Sequence, residues 1–310
     1  MAGACIAKRR RAPRLLAGAP AALLARRTRA QVTTQHMNAR PIPVSGELLP
    51  VIGLGTWQTF DVGNDRVARV PLRDVLADLV AGGGKVVDSS PMYGTSEAVV
   101  GDLVSALGLR DKLFIATKVW TTGREAGIRE MERSFQRLRV ECMDLMQIHN
   151  LLDLAVHTRT LEQWKQQGRV RYIGITHYTA SAYPEVERWL ETGQYDFLQI
   201  NYSLAERQAE QRVLPLAQQK GVAVIVNRPF GQGSMFAHVR GKPLPAWAAE
   251  LGIASWAQFF LKWILGHPAV TCAIPATDKP AHMKDNLAAG YGALPDAAQR
   301  RRMAEYFGAL

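Results

Sequence analysis

The chain has 310 residues, of which 47% are hydrophobic and 21% charged, a composition that excludes a wholly disordered protein and a small disulfide scaffold. Its formal charge of +11 is concentrated at one end: nine of the 38 Lys and Arg residues, and none of the 27 Asp and Glu residues, fall in positions 1–40. The rest of the chain is close to neutral, so the charge does not predict a nucleic-acid-binding surface.

Residues 1–38 have the composition of a targeting segment and are predicted to be a basic extension outside the folded domain. Arg9, Arg10 and Arg11 precede the apolar run 15–25, and the segment Thr28-Arg29-Ala30 is a candidate cleavage site. The pattern resembles a twin-arginine export signal. An organellar presequence and an extension without a function fit the same composition, so a periplasmic or a cytoplasmic location stays open.

Beyond residue 40, short apolar runs rich in Val and Ile alternate with helical segments. Eight runs predict strands, at 51–54, 85–88, 113–118, 143–149, 172–176, 197–201, 222–226 and 270–274. Eight segments predict helices, at 72–81, 96–107, 125–139, 160–167, 182–191, 206–220, 253–265 and 280–289. Continuously apolar runs are typical of parallel strands buried on both faces. Eight strand–helix units predict a single-domain α/β protein, a closed (β/α)₈ TIM barrel, over residues 39–310.

Other architectures lack their characteristic patterns. A doubly wound dinucleotide-binding fold needs Gly-x-Gly-x-x-Gly after its first strand, and here Gly53-Leu54-Gly55 continues as Thr56-Trp57-Gln58. The sequence has no run of the roughly 20 apolar residues that a membrane-spanning helix needs. The three cysteines, and the His and carboxylate residues, do not have the spacing of a metal site, so no bound metal is predicted.

Polar residues lie where three of the predicted strands end. They are Asp88 and Tyr93 at the second strand, Lys118 at the third and His149 at the fourth. Because the active site of a (β/α)₈ barrel lies at the C-terminal ends of its strands, we expect these four side chains to share one rim. Taken singly, each also fits a structural role, as an ion pair, a loop cap or a core histidine. Their occurrence at successive strand ends favours catalysis.

The four residue types together point to acid catalysis at an oxygen atom. A tyrosine with an ordinary pKa of about 10 is a poor proton donor at neutral pH, and the Lys118 ammonium is expected to lower the pKa of Tyr93. Asp88 would keep Lys118 charged, and a neutral His149 would form a hydrogen bond with a carbonyl oxygen. Such a group suits an oxygen that gains negative charge during hydride delivery to a carbonyl.

Three segments around these residues resemble the aldo/keto reductase superfamily. They are Val87–Gly94, Ala116–Trp120 and Asp144–His149, within a likeness that runs from about Ile52 to Asn286. The resemblance implies a (β/α)₈ barrel that reduces aldehydes and ketones with NAD(P)H. It also implies that Asp88, Tyr93, Lys118 and His149 form the catalytic tetrad, with Tyr93 as the general acid.

The resemblance further implies where the cofactor binds. The candidate cofactor-binding residues are Thr176, His177, Gln199, Asn227, Arg228, Phe230, Gly231, Gln232, Thr277, Lys279, His282 and Asn286. Thr176, His177 and Gln199 correspond to the positions that hold the nicotinamide carboxamide, residues 230–232 to a segment with backbone contacts to the pyrophosphate, and residues 277–286 to the adenosine end.

Several of these positions depart from the family pattern. His177 stands where the family often has Asn, and Asn227 stands where a tyrosine commonly stacks under the nicotinamide. Ala276 and His282 stand where many members have the Lys and Arg that bind the 2′-phosphate of NADP. Since Lys279 and its neighbours still offer charge and hydroxyl groups to that phosphate, NADP(H) is favoured and NAD(H) stays open.

Four apolar residues on the loops after the first three strands are the candidate substrate pocket. They are Trp57, Phe60, Met92 and Trp120. We expect them to form a wall beside a small-molecule carbonyl substrate, although they also fit a plug in the barrel mouth. Only 24 residues follow Asn286, too few for a long C-terminal substrate loop, which favours an open pocket and broad carbonyl specificity. A monomeric enzyme is expected.

Two other functions are compatible with the same rim. One is a regulatory barrel that binds the nicotinamide cofactor and senses its redox state with little turnover. The other is an enzyme that forms a Schiff base on Lys118, as pyridoxal phosphate enzymes do. The neighbouring Tyr93 and His149 make the reductase the preferred interpretation.

Overall fold

A computed structural model describes residues 36–310, so the predicted extension 1–38 lies outside the described residues except for its last three positions. The described strands are β1 (Ala39–Pro41), β2 (Leu48–Pro50), β3 (Leu54–Gly55), β4 (Val86–Asp88), β5 (Phe114–Val119), β6 (Met143–His149), β7 (Val170–Thr176), β8 (Phe197–Asn201), β9 (Ala223–Asn227) and β10 (Val270–Ala273). The described helices are α1 (Arg66–Ala81), α2 (Ser96–Leu107), α3 (Arg124–Leu138), α4 (Leu154–Gln166), α5 (Tyr183–Glu191), α6 (Val213–Gln219), α7 (Ser234–His238), α8 (Trp256–Leu265), α9 (Pro280–Ala288) and α10 (Ala297–Gly308). None of these helices has both the length and the apolar character needed to cross a membrane.

Strands β3 to β10 form one parallel eight-stranded sheet in which neighbours in the chain are neighbours in space. Two parallel bridges, Ile52 to Ala273 and Gly55 to Ala276, join the first strand region to the last. The sheet is therefore a nearly closed barrel, and the prediction of a (β/α)₈ fold is confirmed. Each of the eight predicted strands forms, and the first of them, β3, is the shortest.

The half of the barrel nearer the N-terminal ends of the strands is filled by inward-facing apolar side chains. The rings of Phe114, Tyr172 and Phe197 lie 5.5–5.9 Å apart between centroids. Ile42 and Leu49, in the hairpin formed by β1 and β2, join the same buried cluster. Among the described residues, the hairpin covers the N-terminal end of the barrel and leaves the C-terminal end open.

Helix α1 begins six residues before the predicted start at residue 72. The Asp65 carboxylate caps this helix by accepting hydrogen bonds from the backbone N–H groups of Val67 and Ala68. Pro71 then falls in the second turn, where it removes one backbone hydrogen bond without ending the helix. Helix α10 was not predicted; it begins with a reciprocal cap between Asp296 and Gln299.

Candidate active site

Alternation of side chains along the strands brings polar groups together above the apolar layer. Residues two apart in a strand point the same way. In strand β5, for example, the inward positions are Phe114, Ala116 and then Lys118, so the inward face is apolar at the start of the strand and polar at its end. This rule places one set of buried or half-buried side chains at the C-terminal end of the barrel: Asp88, Lys118, Gln147, His149, Thr176, Gln199 and Asn227. The three strand-end members of the predicted tetrad lie in this set.

Asp88 and Lys118 form a buried ion pair. The Lys118 Nζ atom lies 2.7 Å from Asp88 Oδ2 and donates a second hydrogen bond of 2.7 Å to the backbone oxygen of Ser89. The lysine side chain is 0% exposed. Burial alone would lower the pKa of Lys118, but the charge and hydrogen bonding of Asp88 and Tyr93 raise it by more. The net shift of the Lys118 pKa is therefore upward. A lysine held charged in this way has no free lone pair for a carbonyl, which argues against the Schiff-base alternative.

Two amides complete the hydrogen bonding of the Asp88 carboxylate. Gln199 Nε2 donates to Asp88 Oδ1 at 2.8 Å, and Gln147 Nε2 donates to the same oxygen at 3.1 Å. With Lys118 on the other oxygen, the buried carboxylate is fully satisfied. The sequence prediction missed Gln147, although its place two residues before His149 in one strand was sufficient to put both side chains on the same face.

Tyr93 lies on the loop after β4, with its ring over the lysine. The Lys118 Nζ atom is 5.1 Å from the centroid of the Tyr93 ring. The tight turn after Tyr93 requires Gly94, which has φ of +59° and would place a Cβ atom 2.2 Å from the Asp61 carboxylate. Asp61 in turn accepts hydrogen bonds from the backbone and hydroxyl of Thr95, which fixes the loop.

The direction of the Tyr93 pKa shift differs from the expected one. Burial raises the pKa of the Tyr93 phenol above 10.0, and the opposing influence of Lys118 does not cancel this rise because Asp88 offsets the lysine charge. The expected lowering is therefore wrong: desolvation of the buried phenol outweighs the opposing charge of Lys118, which Asp88 partly offsets. A raised pKa keeps the phenol protonated at neutral pH, which a proton donor needs.

His149 is the second potential donor to an oxygen at this rim. Its ring lies 6.0 Å from the Tyr93 ring, nearly perpendicular, and 6.1 Å from the Trp120 ring. Burial, with the charges of Lys118 and His177, lowers the pKa of His149 to about 2. The imidazole is therefore neutral across the physiological range, as expected, and offers one N–H group.

These pKa directions predict a flat pH profile for reduction. A group whose protonated form acts is fully active below its pKa, so the Tyr93 phenol stays competent until the pH exceeds 10.0. His149 is neutral at any pH above about 2. We expect kcat for carbonyl reduction to vary by less than roughly twofold between about pH 5 and about pH 9, measured under saturating cofactor and substrate. An inflection near pH 6.5 that disappears in His149→Asn would contradict the neutral histidine.

The predicted nicotinamide-end residues form a connected network beside the tetrad. Thr176 Oγ1 donates to Gln199 Oε1 at 3.3 Å, and Asn227 Nδ2 donates to the backbone oxygen of His177 at 3.1 Å. The His177 ring stacks on Tyr178 at 5.5 Å and 7°. The Oδ1 atom of Asn227 is buried and has no hydrogen-bond partner among the described residues.

The segment that follows β9 makes a sharp turn with unusual backbone angles. Arg228 has φ of +50°, and Gly231, Gln232 and Gly233 follow with +55°, +54° and +90°. Arg228 donates to the backbone oxygen of Tyr178 at 2.9 Å, and its buried Nε atom has no partner among the described residues. The strained turn lies at the rim, where such strain is typical of binding segments.

Phe230, in the same segment, points away from the tetrad. Its ring packs against Phe236 at 4.9 Å and Phe260 at 6.4 Å. Its side chain thus anchors the turn to α7 and α8, and any contact with the pyrophosphate is left to the backbone, as the sequence prediction has it.

The predicted adenosine-end residues lie around the start of α9. Thr277 is buried, and its hydroxyl accepts a hydrogen bond of 3.1 Å from the backbone N–H of Lys279. Lys279 and His282 have exposed side chains, and Asn286 is buried. Lys284 lies 3.5 Å from Asp78 in an ion pair, whereas Lys279 forms no ion pair among the described residues.

Three of the four predicted pocket residues are exposed at the barrel mouth. Trp57, Met92 and Trp120 are 40%, 38% and 41% exposed. The prediction that Phe60 lines the substrate pocket is not met, because this residue is 0% exposed and lies in the main hydrophobic core. The loop after β3 folds back on itself through a hydrogen bond from Phe60 N to Thr56 O, so this phenylalanine supports the rim from below.

A parallel barrel with polar side chains converging at its C-terminal rim is the architecture of a barrel enzyme. The model of the aldo/keto reductase family matches residues 51–301. The chain therefore belongs to the aldo/keto reductase family, an oxidoreductase family, as the sequence segments around Asp88, Lys118 and His149 indicated.

Known relatives agree with this assignment. The chain is 30% identical over 262 residues to methylglyoxal reductase YeaE of Escherichia coli K12, a match that covers 81% of this chain and 89% of the relative. It is 26% identical over 227 residues to an NADH-specific methylglyoxal reductase of the same organism, covering 64% and 68% of the two chains. A crystal structure of an aldo/keto reductase from Klebsiella pneumoniae in complex with NADP and acetate matches with a TM-score of 0.73 at 26% identity, covering 84% of this chain and 93% of that one.

Proposed function

We propose that this protein reduces aldehyde or ketone carbonyls to alcohols by hydride transfer from NADPH, with Tyr93 as the general acid. The observation that carries this proposal is the arrangement of Tyr93 over the buried Asp88–Lys118 pair, next to a neutral His149. Two neutral donors converge there, and an oxygen that becomes negatively charged is what such donors stabilise best.

The described residues fit a nicotinamide cofactor. Asn227 Oδ1 is a buried acceptor without a partner, which suits the amide N–H groups of the carboxamide. The buried Arg228 Nε atom is a donor without a partner, which suits an anionic pyrophosphate. A dihydronicotinamide bound beside the tetrad would supply the hydride.

Proton movement in the reaction falls to the tetrad. As hydride adds to the carbonyl carbon, the electron pair of the C=O π bond moves to oxygen, which takes the Tyr93 proton and becomes the alcohol. His149 donates a hydrogen bond to the same oxygen. The nearby Lys118 ammonium stabilises the phenolate left on Tyr93 until solvent returns a proton.

We infer that the coenzyme preference is for NADPH and that Lys279 contributes to it. Replacing Lys279 with Ala should raise the Kd for NADPH roughly three- to tenfold, the size expected for an exposed charge–phosphate contact, and leave the Kd for NADH unchanged. Lys284→Ala is the matched control, because Lys284 pairs with Asp78 and should not affect either Kd. An equal rise in the Kd for NADPH and for NADH in Lys279→Ala would show that Lys279 does not contact the 2′-phosphate.

The substrate class is proposed from the pocket and the relatives together. Trp57, Met92 and Trp120 border an open mouth with a large apolar surface, which suits aromatic and small aldehydes. Two relatives are named as methylglyoxal reductases. Methylglyoxal and 4-nitrobenzaldehyde are therefore the first substrates to test.

The test is a titration of the full-length chain with NADPH and with NADH, followed by tryptophan fluorescence, and then addition of each aldehyde while nicotinamide absorbance is recorded. Binding followed by oxidation supports the reductase and identifies the preferred cofactor. Binding with negligible oxidation would favour the redox-sensing barrel. Absence of binding to either cofactor would overturn the proposal.

A further inference from the structure

We propose that Ser90 is a positioning residue that fixes the tautomer of His149, so that the imidazole presents an N–H group to the reacting oxygen. Ser90 Oγ lies 3.1 Å from His149 Nδ1. Both residues are buried, at 0% and 5% exposure. The tautomer assignment stands on this geometry, and its role in turnover rests on the proposed function.

The surroundings of the hydroxyl decide which atom donates. The backbone N–H of Met92 donates a hydrogen bond of 3.4 Å to Ser90 Oγ, so a lone pair of this oxygen is already in use. The hydroxyl proton needs an acceptor, and His149 Nδ1 is the acceptor within reach among the described residues. The Ser90 O–H group therefore donates to Nδ1, which must be unprotonated.

The state of the other ring nitrogen follows. A neutral imidazole carries one proton, and with Nδ1 unprotonated that proton lies on Nε2. His149 Nε2 has no hydrogen-bond partner in the described residues 36–310 and is free to donate to a substrate. In the opposite tautomer a lone pair on Nε2 would face the carbonyl oxygen and repel it.

Ser90 also connects the two donors of the site. Its backbone oxygen accepts a hydrogen bond of 3.0 Å from the backbone N–H of Tyr93. One residue thus fixes the turn that carries the Tyr93 phenol and the ring that carries the His149 N–H group. This link lets both donors reach one oxygen with little reorganisation, which is what electrostatic stabilisation requires.

The direct test is the tautomer of His149 in the full-length chain. Protein labelled with ¹⁵N-histidine gives long-range ¹H–¹⁵N spectra in which protonated and unprotonated ring nitrogens are distinct, and His149→Asn assigns the signal among the seven histidines. We expect an unprotonated Nδ1 in the wild type and a mixture of tautomers in Ser90→Ala. Ser96→Ala is the matched control, since this buried serine bonds to Thr56 O and should leave the signal unchanged.

Kinetics give the second readout. Ser90→Ala should lower kcat for aldehyde reduction roughly three- to tenfold, the loss expected from one hydrogen bond, and leave the KM for NADPH unchanged. Ser90→Thr keeps the hydroxyl and should retain the wild-type tautomer and most of kcat. A protonated Nδ1 in the wild type, or an unchanged spectrum in Ser90→Ala, would overturn the inference even if the protein is a reductase. A fixed tautomer in a chain without turnover would instead overturn the proposed function alone.

Discussion

Replacement of Tyr93 by Phe should lower kcat for aldehyde reduction by roughly 10²–10⁴, the usual contribution of a general acid, while the Kd for NADPH stays within a few-fold of the wild type. The phenol is the protonated group that lies over Lys118 and beside His149, and Phe keeps its shape but removes the proton. Single-turnover absorbance of the nicotinamide measures the chemical step, and fluorescence titration measures binding.

Tyr306→Phe is the matched control for this variant. The Tyr306 hydroxyl donates to the backbone oxygen of Pro243, away from the tetrad, so its loss should leave kcat unchanged. Turnover of Tyr93→Phe at the wild-type level would remove Tyr93 from the mechanism. A large rise in the Kd for NADPH would instead assign Tyr93 to cofactor binding.

Replacement of Lys118 by Met should damage both stability and turnover. Removing one partner of a buried ion pair leaves Asp88 as an uncompensated charge, which costs about 3–5 kcal/mol in the free energy of unfolding. Loss of the ammonium also raises the pKa of Tyr93 further, because Lys118 is the group that opposes that rise. A phenol with a still higher pKa is a weaker acid, so we expect kcat to fall by at least roughly 10². Urea unfolding and steady-state kinetics measure the two effects.

Two further variants separate the ion pair from general destabilisation. Lys165→Met removes a lysine that pairs with Asp196, but its side chain is 36% exposed, so the cost should be about 1 kcal/mol or less. The double variant Asp88→Asn with Lys118→Met removes both charges and should be more stable than Lys118→Met alone. If both lysine variants lose equal stability, the buried pair has no special energetic role.

Much of the fold is readable from the sequence because local patterns match the tertiary structure. Continuous apolar runs predicted the eight strands of the barrel, and their order in the chain is their order in the sheet. The hairpin of β1 and β2 was not predicted, since its strands have three residues each and become stable only by covering the barrel end. Helix α10 was missed because no strand precedes it.

The candidate site was predicted in part. Asp88, Lys118 and His149 lie at strand ends, and the side-chain period of two brings them together as expected. The contributions of Gln147 and Ser90 were missed, because their importance depends on contacts with Asp88 and His149 across strands. Loop residues were the least predictable: Trp57 is exposed at the mouth, while Phe60, three positions later, is buried in the core.

The sequence by itself determined the barrel architecture and the family, because strand periodicity and motif spacing are local properties, and it predicted the four residues of the candidate tetrad. Only the tertiary structure decided the protonation of the site. The sequence predicted that Lys118 lowers the pKa of Tyr93, yet burial and the pairing of that lysine with Asp88 reverse the net direction. Desolvation depends on everything that surrounds a group, and residues distant in the chain supply most of those surroundings.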